Sequence, residues 1–258
     1  ISNVAAGEQS YHSLQMKATR RFRNGFAGQA SYTWAKTLET VSLLNNQDTV
    51  LNDLRATRGE KRLTEYDIPH TLSFVSSYEL PFGKGRKFFS GANGFVNSVF
   101  GGWNISAQYI RRGGQPIDFP NAAPLEARSA KLSDARRDEL ARAAGRSEFN
   151  PFFDKYFDTA LFPRSAQAAF TLRNFPTRFA DVRSPVLTST ELSGYKDFPI
   201  KERLKAQLRA DFQNVFDQPY FGRLITTANN VTDPRFGQLD PAQGNQPRVV
   251  VIVLKVLF

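Results

Sequence analysis

Residues 204–216 place every charge on one side of an extended chain. Leu204, Ala206, Leu208, Ala210, Phe212, Asn214 and Phe216 share one parity, while Lys205, Gln207, Arg209, Asp211, Gln213 and Val215 share the other. Successive side chains of a strand point to opposite faces, whereas a helix of this sequence would scatter the charges around its circumference. A period of two therefore selects a strand with one apolar and one polar face.

The same split recurs along the chain. In 11–22, His12, Leu14, Met16, Ala18 and Phe22 oppose Ser13, Gln15, Lys17, Thr19 and Arg21. In 26–35, Phe26, Gly28, Ala30, Tyr32 and Trp34 oppose Gln29, Ser31 and Thr33. In 70–80, Leu72, Phe74, Tyr78 and Leu80 oppose Thr71, Ser73, Ser77 and Glu79; in 103–111, Trp103, Ile105, Ala107 and Tyr109 oppose Asn104, Ser106 and Gln108. Segment 186–198 alternates weakly, and 248–258 is apolar on both faces except at Lys255. Together these predict seven strands. The weak alternate pattern Asn104-Ile105-Ser106, a glycosylation sequon in form, falls inside one of them and reads as chance.

Connection lengths alternate. Arg23-Asn24-Gly25 is a tight turn, Asn-Gly being the strongest short hairpin signal. Links 36–69, 113–185 and 217–247 are long, 81–102 is medium and glycine-rich, and 199–202 is tight. Long structureless loops are uncommon in compact soluble domains, but short turns at one end and long loops at the other are the pattern of a transmembrane β-barrel. Outer-membrane barrels end in the periplasm, often on an aromatic, and this chain ends Val250, Ile252, Leu254, Val256, Phe258 at alternate positions. Counting back from there puts every tight or medium link in the periplasm and every long one outside. The expected fold is all-β, an antiparallel up-and-down portion of a transmembrane barrel of about seven C-terminal strands with long extracellular loops. Within the 113–185 insertion, 133–144 reads as a helix between Ser133 as N-cap and Gly145 as C-cap, with Asp138 and Arg142 at i, i+4.

Composition removes other classes. There is no cysteine, hence no disulfide, thiolate metal site or cysteine nucleophile. His12 and His70 are the only histidines, so no multi-histidine metal site is expected. No apolar run is long enough for a membrane-crossing helix, but a barrel strand needs only about 9–11 alternating residues. Ser10, Ser13 and His12 do not make a hydrolytic pair, since neighbours 12 and 13 point to opposite faces. Gly83-Lys84-Gly85-Arg86 lacks the spacing and following helix of a phosphate loop. Asn45, Asn46, Asp48, Asn52 and Asp53, and likewise Asn229, Asn230, Asp233 and Asp240, are oxygen-rich but lack calcium-loop spacing and read as solvated loops. The net charge of +10 is dispersed, without a nucleic-acid motif; Arg111, Arg112, Arg128, Arg136, Arg137 and Arg142 fall on the extracellular side, near lipid headgroups or in solvated loops. No enzyme activity, cofactor, metal or nucleic-acid partner is expected.

Several stretches stand in order along the chain: Tyr11-His12-Ser13-Leu14-Gln15-Met16-Lys17, Ala30-Ser31-Tyr32-Thr33-Trp34-Ala35-Lys36, Asp67-Ile68-Pro69-His70, and Tyr78-Glu79-Leu80-Pro81-Phe82-Gly83-Lys84-Gly85-Arg86. Gly101-Gly102-Trp103, Lys196-Asp197-Phe198-Pro199, Arg209-Ala210-Asp211-Phe212-Gln213-Asn214-Val215-Phe216 and Leu254-Lys255-Val256-Leu257-Phe258 continue the series. The ordered set resembles the barrel of TonB-dependent receptors of the Oar-like group. The resemblance implies a plugged outer-membrane transporter of about 22 strands, of which residues 1–258 would be the C-terminal part, without plug or TonB box. The chain opens on Ile1 with no signal peptide and is expected to be cut from a longer one. Its function would be support of energised uptake of a large or scarce nutrient in a Gram-negative outer membrane. The alternatives are a passive porin, an adhesin-like barrel, or a soluble carbohydrate-binding β-sandwich.

On this reading Lys17, Arg21, Gln29, Gln108, Lys205, Gln207, Arg209 and Asp211 face the lumen, toward the plug or a substrate. Trp34 and Tyr109 mark the extracellular interface and Tyr78 and Trp103 the periplasmic one, because amphipathic rings favour those depths. Val250, Ile252, Leu254, Val256 and Phe258 form the C-terminal assembly signal. The implied partners are outer-membrane lipid and lipopolysaccharide, the barrel-assembly machinery through the last strand, and TonB through the missing plug.

Overall fold

A computed structural model describes residues 7–40, 61–119, 126, 128–164, 176–201, 204–222 and 231–258. Its strands are β1 (Gln9–Arg23), β2 (Phe26–Glu39), β3 (Arg62–Leu63), β4 (His70–Glu79), β5 (Trp103–Arg112), β6 (Pro116–Asp118), β7 (Arg178–Arg183), β8 (Leu187–Lys201), β9 (Leu204–Gln213) and β10 (Val249–Leu257). Helix α1 spans Gly94–Phe100 and α2 Asp134–Ala143.

The seven strands expected from the alternation all form. They pair in chain order, β1-β2-β4-β5-β8-β9-β10, every pair antiparallel, with β3 extending the far end of β2. Among the described residues the sheet is open: β1 pairs only with β2 and β10 only with β9. The β1–β2 turn has Asn24 at φ 56° and Gly25 at φ 79°, the double positive φ that a type I′ hairpin requires and that Asn-Gly supplies at least cost.

The boundaries depart from the pattern in places with a physical cause. The alternation of 204–216 continues through Phe216, yet β9 stops at Gln213. Asn214 enters the left-handed region at φ 47° and Asp217 at φ 51°, which Asn and Asp tolerate best. The Asn214 amide fixes that turn by donating to the carbonyls of Gln218 and Gln246, both at 3.1 Å. Strand β8, whose weak pattern was read over 186–198, reaches Lys201; Gly194 and Lys196 interrupt its apolar parity. The medium link is more than a glycine-rich turn, because Asn93 caps α1 inside it, accepting from the Val96 amide at 2.9 Å.

The described residues of the long insertion 113–185 form a folded unit. It holds β6, α2, a 3-10 turn at Thr159–Leu161 and β7. Ile117, Phe119, Ala130, Phe157, Leu161, Phe162 and Val182 pack in one core with Val231 and Phe236 of the 217–247 link. Phe119 and Phe157 meet edge-on at 4.9 Å, and Phe236 closes on Phe157 and Phe162 at 5.3 and 5.4 Å, arrangements that aromatic quadrupoles favour. Ser133 caps α2 as expected, at 3.2 Å from the Arg136 amide. The helix ends one residue earlier than expected, on Ala144 as C-cap, and Gly145 follows at φ 74°. Arg142 donates to the Asp138 carbonyl, not its carboxylate; the helix's ion pairs are Arg136–Glu139 and Arg137–Asp134, at i, i+3.

Candidate functional site

Burial in this molecule is inverted. Among the described residues, the buried apolar side chains come from the folded insertion and its neighbours; of the seven meander strands only Ala35 contributes one. The same strands expose Leu14, Met16, Trp34, Leu72, Phe74, Tyr78, Ile105, Val250, Ile252, Leu254 and Val256. Ile252 and Leu254 are 73% and 71% exposed. A sheet in water hides its apolar face against a second layer; among the described residues, no second layer covers this one.

Register shows that these residues form one face. The row Phe26–Tyr78–Ile105–Gly194–Ala210–Ile252 crosses six strands on a single side. Leu208 lies between Lys196 and Leu254, and Leu14 beside Trp34. The apolar stripe does not run along a row but slopes across the strands. On β1 it centres on Met16, whose row passes through Tyr32, Leu72 and Arg111 to Thr188. On β10 it centres between Ile252 and Leu254, whose rows meet β8 at Gly194 and Lys196. The stripe thus slips six to eight residues along β8 over six strand steps. With about 3.4 Å per residue and about 4.8 Å between strands, the slope is roughly 35–43°. That is the strand tilt of a transmembrane barrel, about 35–45°: a band level with a membrane crosses tilted strands on such a diagonal.

The aromatic positions follow the diagonal. Trp34 tops the apolar run of β2, beside His70 and followed by Lys36; Tyr109 tops that of β5, beside Phe74 and followed by Arg111. Tyr109 is four residues below the Trp34 row, in the direction of the slope. Tyr78 and Trp103 lie at the opposite end, Trp103 accepting from the Leu80 amide at 2.8 Å through its carbonyl. Val250, Ile252, Leu254 and Val256 line the apolar side of the edge strand, and Phe258 is fully exposed.

The other face is polar. Gln29 and Gln108 share one row through Val75, which Glu191 completes; Lys17 lies opposite Ser31. On β9, Lys205, Gln207, Arg209 and Asp211 all project here. Gln207 donates to Asp197 at 2.8 Å, Arg209 to Asp211 at 2.8 Å, and Ser193 to Asp211 at 2.5 Å. Arg21 is the exception among the expected members. It falls in the irregularity between Arg20 and Arg23, where an extra residue breaks the alternation, so register assigns it no face.

An ion-pair network that the sequence did not announce lies at the long-loop end. Strand β7 begins and ends on arginines that bind the insertion to the rim of the sheet. Buried Arg178 donates through Nη1 to Glu39 Oε1 and the Leu63 carbonyl, both at 2.7 Å, and through Nε to Asp118. Arg183 Nη2 donates to Asp67 at 2.6 Å, and Nη1 to the Asp67 and Gly114 carbonyls at 3.0 and 3.2 Å. Asp67 is 1% exposed and also accepts from the Thr37 amide of β2 at 2.6 Å. Partners 60–139 positions apart in sequence leave no local signal.

The remaining candidates resolve into structure. His70 Nδ1 pairs with the Tyr32 hydroxyl at 2.8 Å, the two rings stacked, and His12 is exposed on the apolar side beside Lys36. Asp233 and Asp240 accept amides two residues on, those of Arg235 at 2.7 Å and Ala242 at 2.9 Å, as turn residues do. Asn45, Asn46, Asp48, Asn52, Asp53, Asn229 and Asn230 lie outside the described residues. Among the described residues no group of His, Asp and Glu could hold a metal.

Burial alone would push the Asp154 carboxyl up, but the Arg146 guanidinium and the Asn150 amide together hold it below the usual carboxylate range. A depressed folded-state pKa stabilises above the unfolded value, about 3.9 for Asp, and that stabilisation is lost as pH falls further. Hydrogen-exchange protection at 150–154, corrected for intrinsic rates, should be level from neutrality to about pH 5 and drop below about pH 4. In Asp154→Asn it should be lower and insensitive to acid. Unchanged protection in strong acid would show that the carboxylate does not hold this turn.

A model of the family described as outer membrane beta barrel domain matches residues 2–250. No curated protein and no solved structure matches the chain.

Proposed function

The chain belongs to the outer membrane beta barrel domain family, and from that premise we propose that it is a wall section of a TonB-dependent receptor that takes up a large or scarce nutrient across a Gram-negative outer membrane. The observation that carries the reading is the open two-faced sheet, apolar and uncovered on one side, polar and hydrogen-bonded on the other, with its stripe at barrel tilt. A soluble β-sandwich would cover that apolar face, so the carbohydrate-binding alternative loses its support. Seven meander strands that leave both edges unpaired suit a larger barrel, with β1 and β10 meeting further strands of the same protein. The ordered resemblance from Tyr11 to Phe258 favours the plugged, energised class over a passive porin or adhesin.

In this reading the short-turn end faces the periplasm and the folded insertion stands outside the cell. Lys17, Gln29, Gln108, Lys205, Gln207, Arg209 and Asp211 face a plug, whose polar surface they meet in a hydrated lumen. The chain performs no bond chemistry; energy arrives from TonB through the plug, and the last strand is read by the assembly machinery. Planar-bilayer recording on the full-length protein separates the two transport classes. A plugged receptor shows no steady conductance until its plug is deleted, and its plug binds the periplasmic domain of TonB. Stable open channels in the intact protein would establish the passive porin instead.

A further inference from the structure

The link between β4 and β5 is built to turn outward. Trp103 Nε1 donates to the Val99 carbonyl at 2.8 Å, and Lys196 Nζ donates to the carbonyls of Ser98 at 2.6 Å and Asn97 at 3.2 Å. These carbonyls close the C-terminal turn of α1, where a cation is favoured. Trp103 and Lys196 both belong to the apolar face of the sheet, in one row. Lys196 is only 4% exposed, its ammonium 5.9 Å from the Trp103 ring centre and 5.1 Å from that of Phe198. The helix is therefore fastened over the apolar stripe and not beneath the lumen.

What the link then presents is apolar. Phe88, Phe89, Phe95, Val99 and Phe100 are exposed, Phe95 at 79%. Phe82 joins Phe88 and Phe89 at 5.5 and 6.0 Å, and Phe89 reaches Phe100 at 6.0 Å, a cluster of rings continuous with the lipid-facing side. Its cations are Lys84, Arg86 and Lys87, and residues 80–102 contain no acid; Arg86 is paired with Glu79. The β1–β2 turn at the same end adds exposed Arg20, Arg21 and Arg23.

The geometry points to residues 82–100 as an interfacial foot seated in the phospholipid leaflet at the short-turn end. Phe88, Phe89, Phe95, Val99 and Phe100 enter the acyl boundary, and Lys84 and Lys87 hold anionic phosphodiester headgroups. Apolar area plus cations facing anionic lipid is the physics of an interfacial amphipathic segment. The inference rests on the barrel reading, and on the short turns facing the periplasm.

The sequence has no cysteine, so an engineered one carries a unique label in a full-length protein otherwise free of cysteine. A polarity-sensitive fluorophore at Phe95→Cys, Leu208→Cys or Arg209→Cys is read in vesicles of brominated phosphatidylcholine or brominated phosphatidylglycerol. Heat-modifiable mobility first confirms that each variant is folded. Quenching is expected at 95 and 208 and not at 209, and at 95 it should be several-fold stronger with phosphatidylglycerol. Lys84→Ala/Lys87→Ala should abolish that preference while leaving the quenching itself. Quenching at 208 without quenching at 95 overturns the foot and leaves the barrel wall standing. No quenching at 208 overturns the wall reading itself. Equal quenching by both lipids at 95 overturns the headgroup assignment. Labelling of position 95 by an impermeant maleimide on intact cells overturns the orientation.

Discussion

Leu208→Arg is expected to remove most of the folded, heat-modifiable full-length protein from outer-membrane fractions, while Arg209→Leu leaves the yield close to that of the wild type. The two positions are adjacent and differ only in face. Leu208 pairs with Lys196 and Leu254 on the apolar side; Arg209 pairs with Tyr195 and Val253 on the polar side. The sloping stripe places Leu208 in the middle of the β9 run from Ala206 to Phe212. A cation on the lipid face near mid-depth costs about 2–4 kcal/mol. Lys196, directly opposite, worsens this by like-charge repulsion. It also shows why an arginine at 208 gains no shelter: the carbonyls of Asn97 and Ser98 are already taken by the Lys196 ammonium. Removing Arg209 forfeits one half-exposed pair with Asp211, and Asp211 keeps its bond from Ser193. Such pairs contribute about 0–1 kcal/mol. Equal yields, or a larger loss for Arg209→Leu, would reverse the faces and sink the wall reading.

The meander was legible because alternation is a local signal that the membrane reinforces. Each of the seven strands is long, and a one-residue slip would move its whole apolar set to the wrong face. Lys205 to Asp211 illustrates this, since its four polar residues at alternate positions assign both faces of β9. The folded insertion was not legible. Phe119, Phe157, Phe162, Val231 and Phe236 form its core, but no period links them, because they sit in turns and short segments that meet only in three dimensions. The 23 phenylalanines were visible as an excess without a location. Structure divides many of them between that core and the cluster at 82–100. The rim arginines escaped notice for the opposite reason. Arg178 and Arg183 look like ordinary loop cations until Glu39 and Asp67, from the far side of the sequence, are placed beside them. Lys196 had a local signal, a lone cation on an apolar parity, that weakened the reading of β8 when it marked the seat of α1.

The second large effect is expected at Asp67, where Asp67→Ala should free the folded insertion without dissolving the sheet. The carboxylate is buried, and each oxygen has a separate task. Oδ1 holds the Thr37 amide of β2 at 2.6 Å and Oδ2 holds Arg183 at 2.6 Å. Truncation leaves the Thr37 amide and the Nη2 group of Arg183 without their acceptor in a partly buried site. Breaking a buried pair from one side typically costs about 3–5 kcal/mol; Arg183 keeps some solvent contact and its bonds to the Asp67 and Gly114 carbonyls, so the lower end, about 3 kcal/mol, applies. If the insertion opens and recloses faster than it is cut, cleavage tracks the open population. Tryptic cleavage within 126–164 should then rise by about two orders of magnitude in the vesicle-embedded full-length protein. Heat-modifiable mobility should not change, because β2 keeps its ladder to β1 and β4. Asp67→Asn retains an acceptor for Thr37 and should fall between the two. Asp67→Leu/Arg183→Met removes both charges together and should recover most of the resistance, as replacing a whole buried pair usually does. Glu139→Ala, which breaks the exposed pair with Arg136 on α2, should change cleavage by only a few-fold. Wild-type resistance in Asp67→Ala would show that the aromatic core and Arg178 hold the insertion alone. A double variant as fragile as Asp67→Ala would locate the effect in the Thr37 amide, and not in the ion pair.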